Sequence, residues 1–130
     1  MSDSNRNIVV YISAPLSGST TSEWWDNTMV ARQWCKTLWE EGLTPLCPHL
    51  NSLFMEGIIP YEEFVEGDLV LIERCDAVLM SGDWDQSKGA CMEREHAATI
   101  GKPIFDTMHS LFEWVESQEE KPQEYNEEEL

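Results

Sequence analysis

Two carboxylates in this 130-residue chain stand where the surrounding pattern is apolar. In the stretch SGDWDQSKGACMEREHAATIGKP, residues 81–103, Glu93 follows a loop rich in Gly, Ser and Asp. At 100° per residue, a helix starting at Gly89 places Ala90, Ala97, Ile100 and Gly101 within about 80° of Glu93. Glu93 therefore shares the face that packs on a sheet, and the small residues around it permit close approach. It also lies in the first turns, where the positive end of the helix dipole favours a carboxylate. A second helix, from Tyr61, repeats the pattern. Asp68 projects from the middle of a stripe made by Tyr61, Phe64, Val65, Leu71, Ile72 and Cys75, while Glu62, Glu66 and Glu73 fall elsewhere.

A buried carboxylate is costly unless it is hydrogen-bonded or used in a site. For one such residue, a helix cap or a bond to a tyrosine is explanation enough. Two of them, on helices flanking the same strand (residues 76–81), point to a shared site. Two carboxylates facing one cavity suit cleavage of a glycosidic bond: one acts as nucleophile or charge stabiliser, the other handles protons or holds sugar hydroxyls. Different surroundings would separate their pKa values. Tyr11, near the end of the first strand, is placed to hydrogen-bond the nucleophile and keep it ionised, or is an ordinary strand aromatic. The turn QSKGA brings Ser87, Lys88, Gly89 and a helix N-terminus together. It reads either as an anion site fit for a 5′-phosphate or as a plain N-cap at Ser87.

The elements that position these groups follow from punctuation and period. NIVVYIS (7–13) is a β-branched strand closed by the turn-rich APLSG. Residues 22–41 are helical, with Trp25, Met29, Trp34, Leu38 and Trp39 at three- to five-residue steps and Gly42 as the stop. LTPLC is a second strand, broken by PHLNSLFMEGIIP; a helix spans residues 60–74, with Pro60 tolerated in its first turn. DAVLMSG is the third strand, 89–100 the third helix, KPIFD the fourth strand and 109–118 a closing helix. Alternating strands and helices imply a small doubly wound α/β domain of the Rossmann or flavodoxin-like kind, with a four- to five-stranded parallel sheet. Ligands bind such sheets at the carboxyl ends of the strands, where strand order reverses. The loops after Ile12, Cys47 and Met80 are expected to meet there.

Composition narrows the function classes. The length fits one domain, residues 1–118, with residues 119–130 as an acidic tail; the last fifteen residues carry seven Glu and one Lys. A formal net charge of −17 argues against nucleic-acid or anionic-membrane binding, since both depend on Lys and Arg contacts to phosphates. A polar N-terminus and short apolar runs give no signal peptide or membrane span, so a cytoplasmic location is expected. The four cysteines, Cys35, Cys47, Cys75 and Cys91, lack CxxC spacing and read mostly as reduced core thiols, with no metal site.

With these residues in place, the chain resembles the nucleoside 2-deoxyribosyltransferase superfamily, which also contains nucleotide N-glycosidases; the likeness is closest to a small phage and bacterial group. It runs from Ile8 to Phe105 through YISAPLSG, PLCPHL and GDLVLIERCDAVLMSGDWDQSKGACMEREHAATIGKP. The resemblance implies that Glu93, eight residues before the closing GKP, is the nucleophile, that Asp68 is its acidic partner, and that Tyr11 is the first-strand tyrosine. Ser87, six residues before the nucleophile, falls where the monophosphate-hydrolysing branch binds phosphate. That branch has an arginine in its first loop, whereas SAPLSGST has none, leaving Lys88 or Arg32 to substitute. Glu95 stands where a glycine usually follows the nucleophile.

The remaining assignments carry two readings each. Ser13, Ser87, Lys88 and Gly89 are assigned to substrate binding. Trp84 covers the base or sugar as a lid, or packs at the rim. Asp83 touches sugar hydroxyls or forms the turn. His49 faces the crevice from a strand end or is structural. For the EWW of Trp24 and Trp25, core anchoring outweighs base stacking. The resemblance implies a nucleoside or nucleotide substrate, no cofactor, and a homodimer or higher homo-oligomer. The competing function is a module that senses or sequesters a nucleotide without turnover, distinguished by whether free base is released.

Overall fold

Alternation along the two central strands decides how the layers form. Successive side chains of β1 (Val9–Ser13) point to opposite faces of the sheet, so Val10 and Ile12 enter one core cluster and Tyr11 the other. In the computed structural model, which describes residues 5–15, 20–55 and 57–120, the next elements are α1 (Thr21–Glu40), β2 (Thr44–Leu46), α2 (Pro48–Asn51) and α3 (Tyr61–Arg74). They are followed by β3 (Ala77–Met80), a 3-10 turn (Trp84–Gln86), α4 (Lys88–Thr99), β4 (Ile104–Phe105) and α5 (Met108–Glu120). β3 alternates like β1: Ala77 and Leu79 join Val10 and Ile12, and Val78 and Met80 join Tyr11.

The four strands are all parallel, in the order β2-β1-β3-β4. Helices α1 and α5 cover the first face through Ala31, Cys35, Leu38, Leu111 and Val115. Helices α3 and α4 cover the second through Ile72, Ala90 and Ala97. The chain leaves β1 for β2 on one side and returns through α3 to β3 on the other. The reversal therefore lies between β1 and β3, and their carboxyl ends open the crevice in which such sheets bind ligands.

Local signals set the helix limits. Thr20 caps α1 by accepting the Glu23 N–H at 3.1 Å, and Ser87 caps α4 by accepting the Ala90 N–H at 3.2 Å. Gly101 takes the left-handed conformation (φ 75°) that lets the chain leave α4 for β4. The buried stripe of α1 is Thr28, Ala31, Cys35 and Leu38, a 3-4-3 spacing. Trp25 and Trp39, expected within that stripe, are 42% and 48% exposed. Trp39 instead lies under the Arg6 guanidinium, 5.0 Å from its ring centroid, and Arg6 also donates to the carbonyls of Trp39 and Leu43 at the end of α1. Pro48 at the first position turns the start of the expected break into one helical turn, α2.

Cys35, Cys47 and Cys75 are buried, Cys91 is exposed, and all are free thiols. Among the described residues, no helix is long and apolar enough to cross a membrane. Helix α5 runs on to Glu120, past the expected domain end at 118; the acidic stretch 121–130 lies outside the described residues, as do 16–19 of the first loop.

Candidate active site

The period of two along β1 puts Tyr11 and Ser13 on the same face, and α4 crosses that face with Glu93. The Ser13 hydroxyl donates to Glu93 Oε1 at 2.7 Å, and the Tyr11 hydroxyl donates to Oε2 at 2.8 Å. Both donors are fully buried. Hydrogen bonds to a charged acceptor contribute about 1.5–3 kcal/mol each. Burial pushes the Glu93 carboxyl above the usual range, while the two hydroxyls pull it back towards ionisation. The Tyr11 hydroxyl is driven well above its ordinary value by its own burial and then by the Glu93 charge, so it stays a neutral donor.

Asp68 reaches the same place from α3. Its carboxyl is pushed up to about 7, first by burial and then by the negative charge of Glu93. Both carboxylates line a cavity of about 960 Å³. Residues that follow the strands line it: Ala14 and Pro15 after β1, Pro48 and His49 at the start of α2, Gly82 and Asp83 after β3. Gly82 takes φ 63°, and a Cβ there would sit 3.6 Å from Pro15 Cδ, so the left-handed turn rather than lack of space calls for glycine. Ile58, Ile59, Phe64 and Val65 give the cavity an apolar wall. The α3 stripe thus divides by height: Ile72 and Cys75 enter the core, whereas Tyr61, Phe64, Val65 and Asp68 face the cavity. On α4, Ala90 and Ala97 are buried as expected, but Ile100 caps the helix and is 43% exposed.

The other anticipated residues separate into groups. Ser87, Lys88, Gly89, Asp83 and His49 line the cavity with Asp68 and Glu93. Ser87 Oγ accepts the cap bond from Ala90, which leaves its O–H available to donate to a ligand. Ser87→Ala is therefore expected to lower stability by about 1 kcal/mol through the cap alone. A urea melt checks this, and an unchanged midpoint would show that the cap contributes nothing. Lys88 is the cation among the described lining residues, against Asp68, Asp83 and Glu93; Arg32 does not line the cavity. Asp83 closes the 3-10 turn through its carbonyl, which accepts the Gln86 N–H at 3.0 Å, while its side chain makes no cap bond.

His49 is 4% exposed, with Nε2 2.9 Å from the Pro15 carbonyl. A carbonyl only accepts, so Nε2 carries the proton and donates. Burial depresses the imidazole pKa more than the Pro15 bond raises it, which keeps the ring neutral. Nδ1 is buried without a partner.

Trp84 does not line the cavity. Its ring packs on the second core cluster and lies 4.6 Å below the Arg94 guanidinium, which is held by Asp106 at 2.7 and 3.3 Å. That clamp holds the ring against the second core cluster, outside the cavity lining. Tyr11 and Ser13 are also absent from the cavity surface; they stand behind Glu93. Ser13, assigned to substrate binding from the sequence, donates to the carboxylate in the structure, and its i, i+2 spacing from Tyr11 was the signal for that bond. Trp24 and residues 57–60 line the cavity without any carboxylate or glycine pattern to mark them.

A solved 2-deoxyribosyltransferase from the psychrotolerant bacterium Bacillus psychrosaccharolyticus aligns at TM-score 0.58 over 74% of this chain and 69% of that one. The two are 20% identical, so the likeness is one of fold. No curated protein matches the sequence. Residues 8–106, all four strands and helices α1 to α4, match the family described as a domain of unknown function, DUF4406, and the chain belongs to that family.

Proposed function

We propose that this protein breaks the N-glycosidic bond of a nucleoside or nucleoside 5′-monophosphate. The observation that carries the reading is Glu93, held by two buried hydroxyls beside an Asp68 that stays largely protonated up to about pH 7. An ionised carboxylate and a protonated one in the same cavity are a matched nucleophile and acid. A Glu93 oxygen attacks C1′ of the sugar. The C1′–N bond breaks, and its electron pair leaves on the base nitrogen, which takes the proton from Asp68. Water, or a second base, then attacks C1′, gives its proton to the Asp68 carboxylate and releases the Glu93 carboxylate. Water gives hydrolysis, and a base gives transfer. The fold shared with a 2-deoxyribosyltransferase supports the choice of a nucleoside. The N-terminus of α4, with Ser87 and Lys88 on the cavity, supports room for a 5′-phosphate.

The test is a panel of nucleosides, deoxynucleosides and their monophosphates, with free base followed by chromatography. Release of one base is the expected result. Binding that raises the melting temperature without any release would identify the crevice as a sensing site instead.

The two hydroxyls behind Glu93 make a separate prediction. Tyr11→Phe or Ser13→Ala removes one donor that favours the carboxylate, so Glu93 should hold its proton to higher pH. The acidic limb of the pH–rate profile is expected to move up in each variant, with the rate at neutral pH falling roughly tenfold. An unmoved limb would mean that these bonds do not set the ionisation of Glu93.

A further inference from the structure

We propose that Trp24 reads the edge of the leaving base, its indole N–H donating to a base acceptor, with His49 Nδ1 accepting from a base donor on the same side. This rests on the base-releasing reading above. Three buried side-chain polar atoms among the described residues lack a hydrogen-bond partner: Trp24 Nε1, His49 Nδ1 and Ser81 Oγ. Two of the three belong to residues that line the cavity. An unpaired buried donor or acceptor is costly, and a ligand that pairs both removes that cost.

The placement fits a base by its chemistry. The N-terminus of α4 suits a phosphate, and Asp68 with Glu93 occupies the position of C1′. What remains is the side built by α1, α2 and residues 57–60, where Ile58 and Ile59 present apolar surface. A nucleobase has apolar faces and an edge of mixed donors and acceptors. The wall matches the faces, and the two unpaired atoms, one donor and one acceptor, match the edge. Trp24 is also free for this role: it belongs to neither core cluster, contrary to the anchoring expected of EWW. Its neighbour Trp25, 6.0 Å away between ring centroids, is exposed and does not line the cavity.

The experiment compares wild type, Trp24→Phe and Trp25→Phe on nucleoside pairs that differ by one ring acceptor, such as purine nucleosides and their 7-deaza and 3-deaza counterparts. Base release is read as kcat/KM. Wild type is expected to disfavour one deaza partner by about 10- to 100-fold. Trp24→Phe should bring that ratio to near one, and Trp25→Phe should keep it. Benzothienylalanine at position 24, which keeps the indole shape but lacks the N–H, should behave like Trp24→Phe; this separates the hydrogen bond from any packing defect. Base release with the wild-type ratio retained in both position-24 variants overturns the inference and leaves the proposed activity standing. So does a wild type indifferent to every acceptor. Absence of base release from any substrate removes the activity and this inference together.

Discussion

Glu93→Gln is expected to lower base release by roughly 10³- to 10⁵-fold while leaving the protein folded. The substitution keeps the size of the side chain and removes its charge. Burial already disfavours that charge, so the melting temperature should hold or rise in the variant. Loss of activity together with retained stability separates a chemical role from a structural one. A variant that loses both would assign Glu93 to the fold, and one that keeps its rate would leave the chemistry to another group. The readout is initial rate of free-base formation, paired with a thermal melt of the same preparation.

Asp68→Asn tests the acid, and it makes two statements that differ in pH dependence. In catalysis, loss of the proton donor should lower base release by about 10²- to 10⁴-fold. Wild-type activity should decline as pH rises through about 7, where Asp68 ionises, and the variant should lack that decline. In stability the sign follows from linkage. The folded-state value of about 7 lies above the ordinary 3.8, so the native state binds the proton more tightly than the unfolded chain. The stabilisation is fully present below about pH 4 and is lost as pH rises through about 7. Asp68 is partly open to solvent, which screens the effect and reduces it to about 1–2 kcal/mol. Wild type should therefore lose stability between pH 4 and pH 8 relative to Asp68→Asn, as read by urea melts at both ends. Parallel curves for the two proteins would mean that Asp68 titrates as it does in water.

The order of the elements was legible because each rests on a local rule. The β-branched run of β1, the 3.6-residue stripe of α3 and the glycines after α1 and α4 are signals that tertiary packing reinforced. Glu93 and Asp68 were legible for the opposite reason: each carboxylate sits on an otherwise apolar stripe, and such a conflict between pattern and residue type marks a site. Tyr11 was found from the same strand-end logic. The Ser13–Glu93 bond was not legible, because the sequence places Tyr11 and Ser13 on one face of β1 but does not say that α4 brings Glu93 within reach of both hydroxyls.

The aromatic residues were the least legible. Trp24, Trp25, Trp39 and Trp84 are all compatible with a core by composition, yet none is fully buried. Their fates depend on which cation or surface meets them: Arg6 over Trp39, Arg94 over Trp84, the cavity beside Trp24. Contacts of that kind join residues 10 or more positions apart, beyond any local period. The apolar wall from Ile58 and Ile59 was hidden for a related reason, since residues 57–60 form a loop whose side chains follow no repeat.

The most direct measurement is to trap the sugar on the protein. A nucleoside with fluorine at C2′ slows both steps at C1′, because the electron-withdrawing group opposes positive charge there, and a reactive leaving base restores the first step. After incubation, intact mass should increase by one fluorinated sugar, with one equivalent of base released and the adduct on the peptide that carries Glu93. An adduct on any other residue, or base release by Glu93→Gln at the wild-type rate, would contradict nucleophilic attack by Glu93.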